Sequence, residues 1–222
     1  MSTALIIGAS RGIGREFVKQ LLAAGWKVYA TARDSKALAA LRTEGAHALR
    51  VDVTQPETLA ELGRELDGAK LDLVLYVAGV YGPAHKLGVA PSMQDFDHVM
   101  HTNVLGAMQA MTLVGPLVGA ARGCFAVLSS GMGSISEAKS SDAWLYRVSK
   151  AALNMAVRTA AFDYRHAIFV ALDPGWVRTD MGGKLASTDV DVSVRDLLRV
   201  LGGLVLDDSG SYISHTGRQL AW

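Results

Sequence analysis

Short apolar runs alternate with helical patterns along the whole chain, and this alternation limits the possible folds more than any other feature. Most of the runs are continuous stretches of four or five apolar residues, as expected for strands buried on both faces of a parallel sheet. The segments between them place apolar residues three and four positions apart, like one face of a helix. We therefore predict an α/β fold, one domain over residues 1–222, in which helices cover both faces of a doubly wound parallel sheet. The predicted strands are residues 4–7, 27–31, 48–51, 73–77, 125–128 and 168–172.

Composition and charge exclude several classes of protein. Half of the 222 residues are hydrophobic, so the chain has enough apolar surface to fold and is not disordered. The 22 basic and 21 acidic residues nearly cancel, and no basic run predicts binding to nucleic acid. Cys124 is the single cysteine, which rules out an internal disulfide. The N-terminal segment lacks the basic region of a secretory signal, so we expect a cytoplasmic protein.

The segment 102–121 has no charged residue in twenty positions and is nominally long enough to cross a membrane. It also contains Asn103, Gln109, Thr112, Pro116 and several glycines, which lower its mean hydropathy. We therefore predict a buried helix here and no membrane span.

Three glycines follow the first predicted strand directly. Gly8, Gly12 and Gly14 form a G-x-x-x-G-x-G pattern between this strand and the first predicted helix. Glycines permit a tight turn and the close approach of the backbone to a ligand, and a helix N-terminus attracts a pyrophosphate. Between a strand and a helix, this pattern predicts a dinucleotide site in a Rossmann fold.

Two arginines favour NADP(H) over NAD(H) as the dinucleotide. Asp34 lies twenty residues past Gly14, where an acid that binds the NAD ribose is expected. Arg33, however, follows the tip of the second predicted strand and Arg11 lies in the glycine loop, so that two guanidinium groups can bind a 2′-phosphate. Asp34 is then predicted to cap the next helix. The alternative is that both arginines are solvated surface residues.

A tyrosine and a lysine four residues apart carry the predicted chemistry. Tyr146-Arg-Val-Ser-Lys150 opens a predicted helix, and this spacing places the phenol and the ammonium on one helix face. A nearby ammonium favours the phenolate, so we expect the pKa of Tyr146 to be lowered. Such a group can act as general acid in carbonyl reduction or as general base in alcohol oxidation. A predicted strand that ends in Ser129-Ser130 precedes the pair.

These motifs, in this order, resemble the short-chain dehydrogenase/reductase family over essentially the whole chain. Residues 52–53 look like the family's adenine-contacting pair, and residues 78–79 look like the end of its Asn-Asn-Ala-Gly motif. Segment 173–181 is similar to the family's Pro-Gly motif, in the form of the C-factor and small carbonyl-reductase-like branch. The resemblance implies these cofactor-binding residues: Gly8, Ser10, Arg11, Gly12, Ile13, Gly14, Arg33, Asp52, Val53, Ala78, Gly79, Asn103, Tyr146, Lys150, Pro174, Gly175, Val177, Thr179 and Met181.

The resemblance also implies a catalytic tetrad of Asn103, Ser130, Tyr146 and Lys150. Tyr146 would exchange a proton with the substrate oxygen, to which Ser130 would form a hydrogen bond. Lys150 would bind the nicotinamide ribose, and Asn103 would hold a water that links the lysine to solvent. Ser130 is favoured over Ser129 because the family serine is the second of its Ser-Ser pair.

Two positions depart from the family pattern. Ile7 stands where a threonine is usual before the first glycine, and Tyr76 and Val77 stand where two asparagines are usual. Those polar groups would tie the glycine loop to the fourth strand, so we expect an apolar contact to replace them.

The substrate pocket implied by the resemblance is largely apolar, which suits a small neutral carbonyl compound or alcohol. A short lid at residues 182–189 would leave the pocket open. We predict no metal site, because His98 and His101 have no apparent third ligand. The expected lining residues are Tyr81, Met132 and Trp176, with Met181 and the loop 131–143 beside them.

Two functions and one mode of assembly follow. The favoured function is NADP(H)-dependent reduction of an aldehyde or ketone to an alcohol, or the reverse. The alternative is a nucleotide-binding signalling or redox-sensing protein with little turnover. The resemblance implies a homo-oligomer, a dimer or tetramer, in which helices at residues 103–121 and 144–164 pack against the same pair of a partner subunit.

Overall fold

The computed structural model describes residues 1–83 and 89–222, and within them one sheet of parallel strands forms the centre of the protein. The strands are β1 (Thr3–Ile7), β2 (Lys27–Ala32), β3 (His47–Arg50), β4 (Leu73–Tyr76), β5 (Cys124–Leu128), β6 (Ile168–Asp173) and β7 (Tyr212–Ser214). Their order across the sheet is β3-β2-β1-β4-β5-β6-β7. The chain therefore changes direction between β1 and β4, and in such sheets ligands bind at the carboxyl ends of the strands beside this point.

The helices cover both faces of the sheet, as predicted. They are α1 (Gly12–Ala23), α2 (Ser35–Thr43), α3 (Pro56–Glu65), α4 (Met93–Met100), α5 (Gly106–Ala121), α6 (Trp144–Asp163) and α7 (Val190–Gly203). Short 3-10 turns lie at Gly131–Gly133 and Leu206–Asp208. A π-helical segment, His101–Leu105, joins α4 to α5.

Alternation along the strands divides the core in two. Successive strand residues point to opposite faces, so Leu5 and Ile7 pack on one side of the sheet, while Ala4 and Ile6 pack on the other. The first side is covered by α3, α5 and α6, and the second by α1, α2 and α7. Both faces are apolar, which explains why these strands appear in the sequence as continuous apolar runs.

The predicted strands and the predicted cap are confirmed. Each of the six predicted strands is present, with bounds that differ by at most one residue at either end. Asp34 caps α2, because its carboxylate accepts a hydrogen bond of 2.7 Å from the Ala37 N–H. Strand β7 was not predicted, since its three residues are flanked by serines and glycine and give no periodic signal.

The uncharged segment 102–121 belongs to a longer helical stretch, Met93–Ala121, which could cross a membrane by length and hydropathy alone. Its inward side packs in the core through Ala107, Ala110 and Val114, as predicted for a buried helix. The helix predicted at residues 103–121 therefore begins earlier than expected. Asn103 does not open it but lies in the π-helical turn in the middle of the stretch.

Candidate functional site

The loop after β1 can be formed only with glycine at two of its positions. Gly8 has a φ of +94°, and a Cβ atom placed on it would lie 2.6 Å from the Ala78 nitrogen. A Cβ atom on Gly14 would lie 2.2 Å from the Gly8 carbonyl oxygen. The loop is thus packed backbone to backbone against the end of β4 and against the first turn of α1. The N–H groups of that turn have no partner within the helix and can bind an anion.

Backbone hydrogen bonds hold this loop to its neighbours. The Ile7 carbonyl accepts hydrogen bonds from the N–H groups of Val77 (2.8 Å) and Ala78 (3.0 Å). On the other side, the Gly8 N–H donates to the Thr31 hydroxyl at 3.1 Å. Ile7 and Tyr76 lie in register on adjacent strands and pack in the same buried apolar cluster, so the expected apolar contact is present. Main-chain groups and a threonine of β2 add polar connections to the loop.

Tyr76, the second departure from the family pattern, is fully buried and has a polar partner. Its hydroxyl donates a hydrogen bond of 2.7 Å to the Thr102 carbonyl in the π-helical turn. A Cβ atom on Gly106 would lie 2.6 Å from that hydroxyl, so the glycine makes room for it. The tyrosine thereby connects β4 to the turn that contains Asn103.

One cavity of about 600 Å³ extends from the glycine loop to the end of α6. Two predicted residues are not part of its wall, since Gly14 lies behind the loop and Asn103 is fully buried. The cavity also includes residues that were not predicted, among them Thr31, Thr54, Val80 and Asp180. The predicted residues that line it are Gly8, Ser10, Arg11, Gly12, Ile13, Arg33, Asp52, Val53, Ala78, Gly79, Tyr81, Ser130, Met132, Tyr146, Lys150, Pro174, Gly175, Trp176, Val177, Thr179 and Met181.

The two arginines proposed for the 2′-phosphate lie on the rim of this cavity and are largely exposed. Arg33 is 4.0 Å from the Asp52 carboxylate, and Arg11 forms a 3.0 Å ion pair with Asp180. Burial tends to raise the pKa of Asp52, but hydrogen bonds from Thr54 and the charge of Arg33 outweigh it and hold this pKa below its usual value. Both guanidinium groups retain exposed N–H donors, which an anion could use.

Ser130, Tyr146 and Lys150 meet at the other end of the cavity. The Ser130 side chain lies next to the Tyr146 phenol, and the Lys150 Nζ atom is 5.5 Å from the centre of the tyrosine ring. The lysine also donates a hydrogen bond of 2.7 Å to the Leu128 carbonyl at the end of β5. A general acid or base next to a hydroxyl donor and an ammonium is suited to moving a proton to or from a substrate oxygen.

Burial is the main influence on the pKa values of Lys150 and Tyr146. It lowers the pKa of Lys150 to about 8. It also raises the pKa of Tyr146 above its ordinary value, an effect that the hydrogen bond to Ser130 opposes and the charge of Asp173 strengthens. The expected lowering of the tyrosine pKa by Lys150 is therefore not found for the chain by itself. The desolvation of both groups outweighs their mutual attraction.

The two serines at the end of β5 have different surroundings. The Ser129 hydroxyl is buried and donates a hydrogen bond of 2.6 Å to the Asn154 side chain of α6. The Ser130 hydroxyl accepts from the Met132 N–H at 3.2 Å and lies next to Tyr146. Both serines line the cavity, but the Ser129 hydroxyl supports the packing of α6 against the sheet, whereas the Ser130 hydroxyl lies next to Tyr146.

The side chain of Asn103 is occupied by protein groups. Its amide exchanges hydrogen bonds with the Val80 N–H (2.8 Å) and the Val80 carbonyl (2.9 Å), and it donates to the Ser149 hydroxyl at 2.9 Å. Ser149 in turn donates to the Tyr146 carbonyl. These contacts connect the segment after β4 to the first turn of α6. The Asn103 side chain thus helps to hold the backbone of Tyr146 through Ser149.

Large apolar side chains surround the cavity beside Tyr146. The ring of Tyr81 lies 4.8 Å from that of Tyr146. Trp176 is 56% exposed and is held by a hydrogen bond of 2.8 Å from its indole N–H to the Gly182 carbonyl, and Met181 is half exposed. The short lid is tied to the Pro-Gly segment by an ion pair between Arg178 and Asp189.

Sequence reasoning assigned no role to Asp173 or Tyr212, which both contact the loop after β5. Asp173 accepts a hydrogen bond from the Gly131 N–H, and Tyr212 donates one to the Ser130 carbonyl. Asp173 directly precedes the Pro-Gly motif, a position that could have pointed to it. For Tyr212 the sequence carries no signal, because the contact depends on how β7 pairs with β6.

Replacement of Lys150 by Met tests whether the buried ammonium destabilises the fold. A lysine whose pKa falls from 10.5 to about 8 on folding is charged in both states below pH 8, where the desolvation penalty is fully present. Its contribution to stability rises between about pH 8 and 10.5. At pH 7 we expect Lys150→Met to raise Tm by about 3–8 °C, with the gain shrinking toward pH 10.

The measurement is thermal unfolding of both proteins across this pH range. Lys19→Met is the matched control, since the Lys19 side chain is 73% exposed and its loss is expected to change Tm little. A lower Tm of Lys150→Met at pH 7 would show that hydrogen bonding of the ammonium outweighs its desolvation.

The residues of the cavity fit a dinucleotide. The glycine loop leaves no space for side chains beside the N-terminus of α1, and arginines lie at the rim where a further phosphate would be placed. A volume of about 600 Å³ is also within the range of small-molecule and cofactor sites.

Comparison with known proteins agrees with this fold and site. C-signal of Myxococcus xanthus is 39% identical over 156 residues, which cover 68% of this chain and 93% of that protein. The NADPH-bound carbonyl reductase from chicken fatty liver superposes with a TM-score of 0.88 at 32% identity, covering 100% of this chain and 99% of that one. The carbonyl reductase Sniffer of D. melanogaster gives a TM-score of 0.92 at 27% identity, with both chains fully covered. Residues 2–190 match the profile of the short chain dehydrogenase family, and the chain therefore belongs to that family of oxidoreductases.

Proposed function

We propose that this oxidoreductase uses NADP(H) to reduce a small neutral aldehyde or ketone to an alcohol, or catalyses the reverse reaction, with Tyr146 as general acid or base. The observation that supports this most is that Ser130, Tyr146 and Lys150 line the same cavity as the glycine loop, with Lys150 Nζ 5.5 Å from the centre of the tyrosine ring. A cytoplasmic location is part of the proposal.

The residues at the reacting end of the cavity have separate tasks in this reaction. Ser130 donates a hydrogen bond to the substrate oxygen, and Tyr146 delivers the proton to it during reduction or removes it during oxidation. The Lys150 ammonium holds the ribose next to the nicotinamide and stabilises negative charge on the phenol. The nicotinamide, when bound, supplies or accepts the hydride. The apolar wall near Tyr81 and Trp176 excludes water and favours an uncharged substrate.

The preference for NADP(H) is supported by charge at the rim of the cavity. Arg11 and Arg33 each have an exposed guanidinium group, and Asp34, at the position expected for an acid that binds an NAD ribose, is engaged in capping α2. A 2′-phosphate carries a negative charge that such groups bind with charge-assisted hydrogen bonds. The chicken carbonyl reductase with which this chain superposes is NADPH-bound.

Tyr146→Phe removes the proposed proton donor and leaves the ring in place. We expect turnover with aldehydes and ketones to fall at least about a hundredfold, with NADPH affinity changed by less than about threefold. NADPH consumption and NADPH fluorescence titration measure the two quantities. Tyr29→Phe on β2, outside the cavity, is the control and is expected to retain activity. Near-normal turnover by Tyr146→Phe would refute the mechanism.

The same assay tests the alternative function. The likeness to C-signal keeps open a nucleotide-binding signalling protein with little turnover. If the wild-type protein binds NADPH tightly but consumes none with a broad panel of carbonyl compounds, the alternative is favoured over the enzyme.

Arg33→Ala tests the cofactor preference. Loss of a charge-assisted hydrogen bond to the 2′-phosphate is expected to lower kcat/KM for NADPH by about ten- to a hundredfold, with kcat/KM for NADH nearly unchanged. Arg64→Ala on α3 removes a similarly exposed arginine outside the cavity and serves as the control. A wild-type protein with higher kcat/KM for NADH than for NADPH would overturn the assignment.

We also propose a homo-oligomer formed through α5 and α6. Along α6, Val148, Met155 and Phe162 are exposed at intervals of seven residues and form an apolar stripe. Leu105 and Met108 extend exposed apolar surface to the start of α5. An apolar face of this kind is typical of subunit interfaces.

The double variant Met155→Glu/Phe162→Glu places charges on this stripe, and we expect it to be monomeric or to assemble much more weakly. Light scattering at micromolar concentration gives the mass, and thermal unfolding checks the fold. Val205→Glu, at a similarly exposed apolar residue after α7, is the control and should keep the wild-type mass. A monomeric wild-type protein would contradict the proposal.

A further inference from the structure

The peptide group that follows Ser130 is held at both of its polar ends. Its carbonyl, which belongs to Ser130, accepts a hydrogen bond from the Tyr212 hydroxyl. Its N–H, which belongs to Gly131, donates to Asp173 Oδ1 at 2.9 Å. Because a peptide group is planar, two bonds at opposite ends set its orientation. They therefore also set the direction in which the Ser130 side chain leaves the backbone.

The same oxygen of Asp173 also binds the segment that contains Gly175, on another wall of the cavity. It accepts a second hydrogen bond, of 3.2 Å, from the Gly175 N–H in the Pro-Gly segment. Gly175 has a φ of +77°, and a Cβ atom on it would lie 2.7 Å from the ring of His215. The Pro-Gly segment is thus confined between this ring and the Asp173 carboxylate, which joins it to the serine loop.

Both supporting residues belong to strands of the sheet. Asp173 is the last residue of β6 and Tyr212 the first residue of β7, and these strands pair directly. Tyr212 is fully buried and its ring stacks on Trp222 at 5.4 Å. The His215 N–H donates to the Asp173 carbonyl at 2.8 Å, which continues the pairing beyond the strand ends.

Asp173 also brings a negative charge near the reacting groups. It raises the pKa of the Tyr146 phenol, an effect that adds to the larger one of burial. Burial, and after it the charge of Asp173, also raises the pKa of Tyr212. The other polar or titratable groups that face these residues are Ser130, Tyr81 and Lys150 around Tyr146, and Asn154, Glu137 and His215 around Tyr212 and Asp173.

We propose that Asp173 and Tyr212 are positioning residues that hold the peptide after Ser130 and thereby aim the serine hydroxyl at the substrate oxygen. The catalytic part of this inference rests on the proposed function, whereas the hydrogen bonds that carry it do not.

Three variants separate the hydrogen bonds that Asp173 and Tyr212 make from the negative charge of Asp173. Asp173→Ala removes the acceptor and the charge, and Asp173→Asn removes the charge but keeps an oxygen that can accept from Gly131 and Gly175. Tyr212→Phe removes the hydroxyl and keeps the stacked ring. Asp72→Ala is the matched control, because Asp72 also accepts a backbone N–H, that of Thr3 at 2.7 Å, but at the amino ends of strands β1 and β4, opposite the cavity.

We expect kcat to fall about ten- to a hundredfold in Asp173→Ala and Tyr212→Phe, with KM for NADPH within about threefold of wild type. Asp173→Asn should keep kcat within about threefold. Its pH profile should move to lower pH by about half a unit or more, since the phenolate of Tyr146 is no longer opposed by a negative charge. Asp72→Ala should change neither quantity.

Amide hydrogen exchange of Gly131 tests the geometry without any turnover. Exchange should be at least about tenfold faster in Asp173→Ala than in wild type, and close to wild type in Asp173→Asn. If the wild-type protein shows no turnover but this exchange pattern holds, the positioning contacts stand and the proposed function fails. Unchanged exchange and kcat in Asp173→Ala would overturn the inference; should the alanine variant not fold, unchanged kcat and Gly131 exchange in Tyr212→Phe would do so.

Discussion

The contact between the glycine loop and the end of β4 is the constraint on which the rest of the site depends. At this point the direction of the chain across the sheet changes, and two segments of backbone approach too closely for any side chain between them. The Ile7 carbonyl accepts hydrogen bonds from the N–H groups of residues 77 and 78. The chain after β1 and the chain after β4 then continue on opposite sides of one crevice. The crevice is thus a consequence of strand order, and it exists before any ligand binds.

A second set of contacts builds the reacting end of the crevice, and it is mostly polar and buried. Tyr76, Asn103 and Ser149 form hydrogen bonds that link β4, the π-helical turn and the first turn of α6. The π-helical turn is a local departure from regular helix of the kind often found at functional sites. Lys150 is fully desolvated next to these groups, which is unfavourable for folding and accounts for its lowered pKa. Burial of the Lys150 ammonium lowers the stability of the fold and places a cation next to Tyr146, as expected where functional groups are kept at a cost in stability.

Much of the fold could be predicted because its signals are local. Four of the six predicted strands are continuous apolar runs, which reflect strands covered on both faces, and Asp34 has the residue type and position of a helix cap. Residues that line the cavity could be predicted where a motif coincides with the end of a strand, as for Gly8 and Ser130, or with the start of a helix, as for Tyr146. Predictions failed where the outcome depends on partners distant in sequence: the place of Asn103 inside a helix and the pKa of Tyr146.

The sequence by itself determined the order of strands and helices, the residues that must be glycine, and the pairing of a tyrosine with a lysine on one helix face. These properties depend on periodicity and on steric limits that act over a few residues. Only the tertiary structure decided that the Ser129 hydroxyl binds Asn154, what Asn103 binds, and that Asp173 and Tyr212 support the peptide after Ser130. The physical reason is that burial and hydrogen bonding between distant segments depend on how β5, β6, β7 and α6 pack together, which no local pattern encodes.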